Sequence, residues 1–102
     1  MTAGPMETMT RAIARLESQG YDESFRAGPK GVLLGREEEP LEPEAMIVEE
    51  TVRFEGASDP ADSAILLALR TRDGRHRGTF VANFGPDTDP RSAAALHRLS
   101  GT

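Results

Sequence analysis

Two pairs of carboxylates in predicted loops have the residue types and spacing closest to those of a chemical site. Asp59 and Asp62 enclose a Pro–Ala pair, and Asp87 and Asp89 lie on either side of one threonine. Carboxylates at such spacing occur in magnesium sites, but aspartates next to proline also form ordinary turns and helix caps. We expect turns and caps here, and a shared cation site only if the two loops meet in the fold.

A basic run later in the chain is the second candidate site. Five basic residues occur within eight positions: Arg70, Arg72, Arg75, His76 and Arg77. Such a run can bind a phosphate or an acidic segment of a partner, whereas a solvated hairpin tip is the simpler interpretation. In the ligand-binding interpretation, Arg53, Arg75 and Arg77 contact the anion, and Asp59 and Asp62 hold a metal ion.

The two histidines, His76 and His97, are 21 positions apart and do not have the spacing of a metal motif. A histidine metal site would need carboxylates from distant segments, so we predict surface histidines, no metal site and no cofactor. The sequence also contains no G-x-x-x-x-G-K-[ST] or G-x-G-x-x-G phosphate loop and no G-x-S-x-G nucleophile motif. The motifs therefore favour a protein that is not an enzyme.

Composition restricts the class of protein further. The 102 residues suit one domain, and the absence of cysteine excludes disulfides, thiolate nucleophiles and cysteine-ligated zinc. A net charge of −5 argues against general nucleic-acid binding, which depends on phosphate neutralisation. The longest apolar run, residues 64–69, is too short to cross a membrane. We expect a cytoplasmic protein.

The first half of the chain predicts a helix followed by a hairpin. Residues 1–7 have no periodic pattern and are expected to be a flexible N-terminus, with residues 8–102 forming a single domain. Thr8 can cap a helix that ends at Gly20. Residues 21–27 and 31–35 suit two strands joined by a turn, and residues 36–43 predict an irregular connection.

The second half predicts three strands and a final helix. Residues 44–55 alternate so that Met46, Val48, Val52 and Phe54 share one face, with Glu50 as an exception. The apolar run at 64–69 suits a central strand, a turn follows at 72–74, and residues 78–84 return as the next strand. Asp89 followed by proline is a typical helix start.

These elements follow the order α-β-β-β-β-β-α. They predict an α+β fold in which a single-layer, mainly antiparallel five-stranded sheet carries both helices on one face.

Several segments resemble a family of small uncharacterised bacterial proteins of about 100 residues. The resemblance is carried by Arg53–Leu69, Asp73-Gly74, residues 77–81, Phe84-Gly85 and, near the N-terminus, Gly20-Tyr21. It covers most of the chain and implies a shared structural pattern.

The resemblance also implies a role for the segment from Arg53 to Asp62. Some family members carry the label phosphoribosylpyrophosphate synthetase, but this chain lacks that enzyme's acidic ribose-phosphate loop and its nucleotide-binding segments. A strand that often has the sequence V-D-A-Y-G in the family is V-A-N-F-G at 81–85 here, without the acidic and phenolic groups. Only the structural pattern and the expected role of the segment from Arg53 to Asp62 are therefore carried over.

The sequence leaves two functional hypotheses. The first is a non-enzymatic interaction or ligand-binding domain. Its candidate partners are a second copy of the chain, in a homodimer joined through a sheet edge or an uncovered sheet face, another protein, or an anionic small molecule. The alternative is a small phosphate- or nucleotide-handling enzyme or regulator that uses the arginine and aspartate residues named above. Neither hypothesis involves nucleic acid as a partner or a membrane.

Overall fold

The computed structural model describes residues 7–54, 64–83 and 89–100. Within these ranges the chain forms two helices and a six-stranded sheet. The elements are α1 (Met9–Ser18), β1 (Glu23–Ala27), β2 (Leu33–Leu34), β3 (Pro40–Leu41), β4 (Met46–Phe54), β5 (Ala64–Thr71), β6 (Arg77–Asn83) and α2 (Pro90–Ser100). Short 3₁₀ helices cover Pro29–Gly31 and Pro43–Ala45. The α+β class predicted from the sequence is confirmed.

The predicted helix signals act as expected. The Thr8 side chain accepts a hydrogen bond from the backbone N–H of Arg11 at 3.1 Å, which satisfies a free donor of α1. Gly20 ends that helix with a φ of 104°, a conformation that favours glycine. At α2, Asp89 Oδ2 accepts from the Ser92 N–H at 3.1 Å, so its predicted cap role is confirmed.

The strands lie in the order β3-β2-β1-β6-β5-β4. The pairing of β1 with β6 is parallel, and the other pairings are antiparallel. β3 is the additional strand, in the segment expected to be an irregular connection. Pro40 is tolerated there because β3 lies at the edge of the sheet, where a missing N–H removes no internal hydrogen bond.

The prediction that both helices pack on one face of the sheet is wrong. Beneath α1 the buried cluster consists of Ala12, Leu16, Tyr21, Leu66 and Ala68. A larger cluster packs with α2 and includes Phe25, Leu33, Leu67, Leu69, Phe80, Ala95 and Leu99. Successive residues of β5, such as Leu66 and Leu67, therefore belong to opposite faces. A central strand that is apolar on both sides needs a cover on both sides, and each helix supplies one.

A β-bulge at Glu49 divides β4 into two parts. Val48 pairs with Leu69 and Glu50 pairs with Ala68, so Glu49 is an additional residue in the ladder. The bulge reverses which alternate residues point to each face. The predicted single stripe is consequently split: Met46 joins the cluster under α2, whereas Val52 and Phe54 pack against the cluster under α1.

Gly78 allows β1 and β6 to approach closely. A Cβ atom at this position would lie 2.3 Å from the backbone oxygen of Glu23, its partner in the parallel ladder. Because that neighbour is backbone, the contact could be relieved only by moving a strand. The small residue thus fixes where Glu23 lies beside the start of β6.

Among the helices that the structure describes, none is long and apolar enough to cross a membrane.

Candidate functional site

An apolar groove runs between β4 and α2. Its volume is about 630 Å³, and its lining residues come from two strands and one helix. They are Val48, Thr51, Arg53, Ile65, Leu67, Leu96 and Leu99. Mostly apolar clefts of roughly 300–1,000 Å³ with a few placed polar groups are typical of small-molecule sites. The groove has both the size and the chemical character of a ligand site.

The bulge at Glu49 determines the chemistry of the groove floor. Beyond the bulge, Thr51 pairs with Leu67 and Arg53 pairs with Ile65, so these two residues face α2. A regular strand starting from Val48 would instead have placed Val52 and Phe54 on this face. One inserted residue therefore gives an otherwise apolar groove a hydroxyl and a guanidinium group.

Ion pairs hold α2 beside the groove. The Arg98 guanidinium donates to Glu44 Oε2 at 2.9 Å and to Glu42 Oε1 at 2.6 Å, and it also donates to the backbone oxygen of Lys30 at 3.1 Å. The two glutamates precede β4, so these contacts link the C-terminal part of α2 to the connection before that strand. The same pairing lowers the pKa of Glu44.

Arg53 is the cationic residue of the groove. Its side chain is exposed and lies beside the apolar lining residues of the groove. A cation at one end of an apolar groove favours an anion there, since charge-assisted hydrogen bonds are the stronger kind. Arg53 is a ligand-binding candidate of the sequence analysis, and the structure places it beside an apolar surface.

The other predicted ligand arginines, Arg75 and Arg77, lie elsewhere on the sheet. Arg77 pairs with Arg70, whereas Arg53 pairs with Ile65. These two partner positions are five residues apart along β5, a distance of about 17 Å at the usual rise per residue. The predicted arginines are therefore not brought together around one small anion. Asp59, Asp62 and Asp87 lie outside the described residues.

The basic run is divided between several local contacts. Arg77 stacks over the Tyr21 ring at 4.7 Å from its centroid and donates to the backbone oxygen of Gln19 at 3.3 Å. Arg70 donates to Glu49 Oε2 at 3.0 Å. Arg75 lies in the exposed turn, where its backbone N–H donates to Asp73 at 3.0 Å.

The turn at Asp73 is held by its own hydrogen bonds. The Arg75 N–H and the Thr71 hydroxyl both donate to Asp73, and the two bonds lower the pKa of this carboxyl, in that order of importance. Gly74 follows with a φ of 76°. The predicted Asp–Gly turn is confirmed.

Charged residues surround the cluster under α1. Arg15 pairs with Glu7 and with Glu50, each at 2.8 Å. Glu49 accepts a hydrogen bond from the Tyr21 hydroxyl at 2.5 Å, and this bond, followed by the one from Arg70, lowers the pKa of Glu49. Of the predicted flexible N-terminus, Glu7 is the described residue, and it takes part in this network.

A second polar cluster was missed by the sequence analysis. Glu23, Glu39 and His76 present ligand atoms that all lie within 4.8 Å of one another. They come from β1, from the β2–β3 connection and from the residue before β6, so no spacing in the sequence marks them. The cluster could have been predicted only by first predicting the parallel pairing of β1 with β6, because that pairing places Glu23 beside His76.

No family model, no curated protein and no solved structure matches this chain. The resemblance drawn from the sequence therefore rests on its quoted residues alone.

Proposed function

We propose that this protein is a non-enzymatic ligand-binding domain whose groove beside α2 binds a small amphipathic anion, such as an aliphatic carboxylate. The observation that carries the proposal is the polar end that the Glu49 bulge gives to an apolar groove. The apolar part of the ligand lies along Ile65, Leu67 and Leu96. Its anionic head lies at Arg53 and Thr51.

Charge complementarity favours this ligand over a second copy of the chain. A second protein chain seated on the groove would take the exposed Arg53 guanidinium out of water, and the desolvation of a charged group is costly. Within the described residues β4 is an edge strand, and dimer formation through it is opposed by its bulge and by adjacent glutamates, which are typical protections of edge strands. The test therefore includes a measurement of the oligomeric state, in which a dimer would be the competing outcome.

The test is a calorimetric titration of the full chain with decanoate and, separately, with decanol. We expect decanoate to bind more tightly, because only its head group is charged. Arg53→Gln should weaken decanoate binding about tenfold, equivalent to about 1.4 kcal/mol, and leave decanol binding unchanged. Arg75→Gln is the matched control, since it removes the same charge from the exposed turn.

Three results would contradict the proposal. Equal loss of decanoate affinity in both arginine variants would indicate a general charge effect. Equal binding of decanoate and decanol would remove the role of the polar end. Light scattering that shows a dimer which decanoate does not dissociate would identify the groove as an interface between copies.

A further inference from the structure

A half-buried cluster of one imidazole and two carboxylates brings together β1, the β2–β3 connection and the residue before β6. His76 Nδ1 lies 3.0 Å from Glu23 Oε2 and 3.7 Å from Glu39 Oε2. The side chains are 27% exposed for His76, 13% for Glu23 and 37% for Glu39. This cluster shares no residue with the groove.

We propose that Glu23, Glu39 and His76 bind one divalent transition-metal ion, with zinc as the best-suited ion. Zinc takes nitrogen and oxygen ligands at about 2.0–2.2 Å, so the ligand atoms of a tetrahedral site are about 3.4 Å apart. The two distances from Nδ1 lie on either side of that value. All three ligand atoms lie within 4.8 Å of one another, so rotations of these side chains would bring them onto one ion.

The donor set agrees with this choice of ion. Imidazole is a ligand for zinc, copper, iron and nickel, whereas sites made only of oxygen favour magnesium, calcium and manganese. Two carboxylates with a neutral imidazole balance the charge of one dication. With three protein ligands, the fourth position of a tetrahedral zinc site is left for water or a small ligand.

The backbone holds each ligand in place. Glu39 Oε1 accepts a hydrogen bond from the Glu37 N–H at 2.9 Å, which leaves Oε2 facing the imidazole. The His76 N–H donates to Thr71 Oγ1 at 3.0 Å. The close approach of β1 to β6 at Gly78 places the Glu23 backbone beside the start of β6. Such supporting contacts orient metal ligands in known sites.

The cluster is also accessible. A hollow of about 310 Å³ adjoins His76 and is lined by Leu41, Ala45, Thr71 and the residues of the β5–β6 turn. A metal site needs an entry path of this kind. The hollow reaches His76, and all three side chains of the cluster are partly exposed, so an ion can approach them from solvent.

The test is calorimetric titration of the tag-free full chain with zinc chloride at about pH 7.5, since protons compete with metal ions for their ligands at lower pH. We expect one equivalent to bind at micromolar zinc. His76→Ala and Glu39→Gln should each weaken binding at least about tenfold, since even supporting contacts outside the ligand set are worth 10- to 100-fold. His97→Ala is the matched control and should bind as the unaltered protein does.

Circular dichroism of each variant separates loss of the site from loss of the fold. Glu39 is more exposed than His76, and Glu39→Gln preserves the shape of the side chain. This variant should therefore stay folded, and it can test the site even if His76→Ala unfolds. Failure to bind one equivalent at micromolar zinc would overturn the proposal and leave the cluster as a histidine–carboxylate ion pair. Unchanged binding in folded His76→Ala, or equal loss in His97→Ala, would also overturn it.

Discussion

The two faces of the sheet are formed by the same strands but differ in what covers them. The face under α1 combines an apolar cluster with ion pairs that link the helix to β4, as in the contact between Arg15 and Glu50. The face under α2 has the larger apolar cluster but leaves a groove open beside β4. The difference originates at one inserted residue, Glu49, which sends Val52 and Phe54 to the first face and Thr51 and Arg53 to the second. A single bulge thus completes one core and shapes a ligand groove on the other side.

Neighbouring leucines of β5 offer the strongest test of this comparison. Leu66 and Leu67 are both buried, at 0% and 4% exposure, but Leu66 packs under α1 and Leu67 adjoins the groove. We expect Leu66→Ala to cost about 4 kcal/mol of unfolding free energy and Leu67→Ala about 2 kcal/mol. The second cost is smaller because the space left by Leu67 joins a groove that water already reaches.

Urea unfolding of the two alanine variants, with matched m-values, measures these costs. If Leu67→Ala costs as much as Leu66→Ala, the groove is closed in solution and the two faces are equivalent.

More of the fold than of the candidate site could be predicted from the sequence. Thr8, Gly20 and the Asp73–Gly74 turn act locally, so their effects follow from adjacent residues. The faces of β4 could not be predicted, because a bulge is decided by pairing with β5, and the alternation of Met46 to Phe54 looks regular without it. Glu23 and His76 meet only through the parallel pairing of β1 with β6, a contact between residues 53 positions apart that leaves no local pattern.

The pH dependence of stability tests the charged contacts on the α1 face of the sheet. The pKa of Glu49 is lowered in the folded state by the Tyr21 hydroxyl and then by Arg70. A lowered folded-state pKa adds stability above the ordinary value of 4.5, and that stability is lost as the pH falls through the folded-state pKa. Glu49→Gln should therefore be less stable than the unaltered protein near neutral pH, and the difference should shrink below the ordinary value and disappear once the pH is below the folded-state pKa.

Urea unfolding of both proteins at neutral and acid pH measures this difference. Glu37→Gln, which alters an exposed glutamate of the β2–β3 connection, is the control. A difference between Glu49→Gln and the unaltered protein that persists unchanged in acid would show that the lost contact does not depend on the carboxylate charge.

The smallest expected effect on stability compares two exposed valines. Val48 is 38% exposed at the groove, and Val81 is 40% exposed on the face of α1, opposite Leu66 in the ladder. Replacing either with threonine keeps the shape and should change the unfolding free energy by no more than about 0.5 kcal/mol, as is usual for exposed positions. Only Val48→Thr should weaken decanoate binding, because it adds a hydroxyl to the surface that takes the apolar chain. Calorimetric titration of both variants decides the point: equal affinities would mean that the apolar ligand does not lie against β4, and a loss confined to Val81→Thr would move the ligand to the other face.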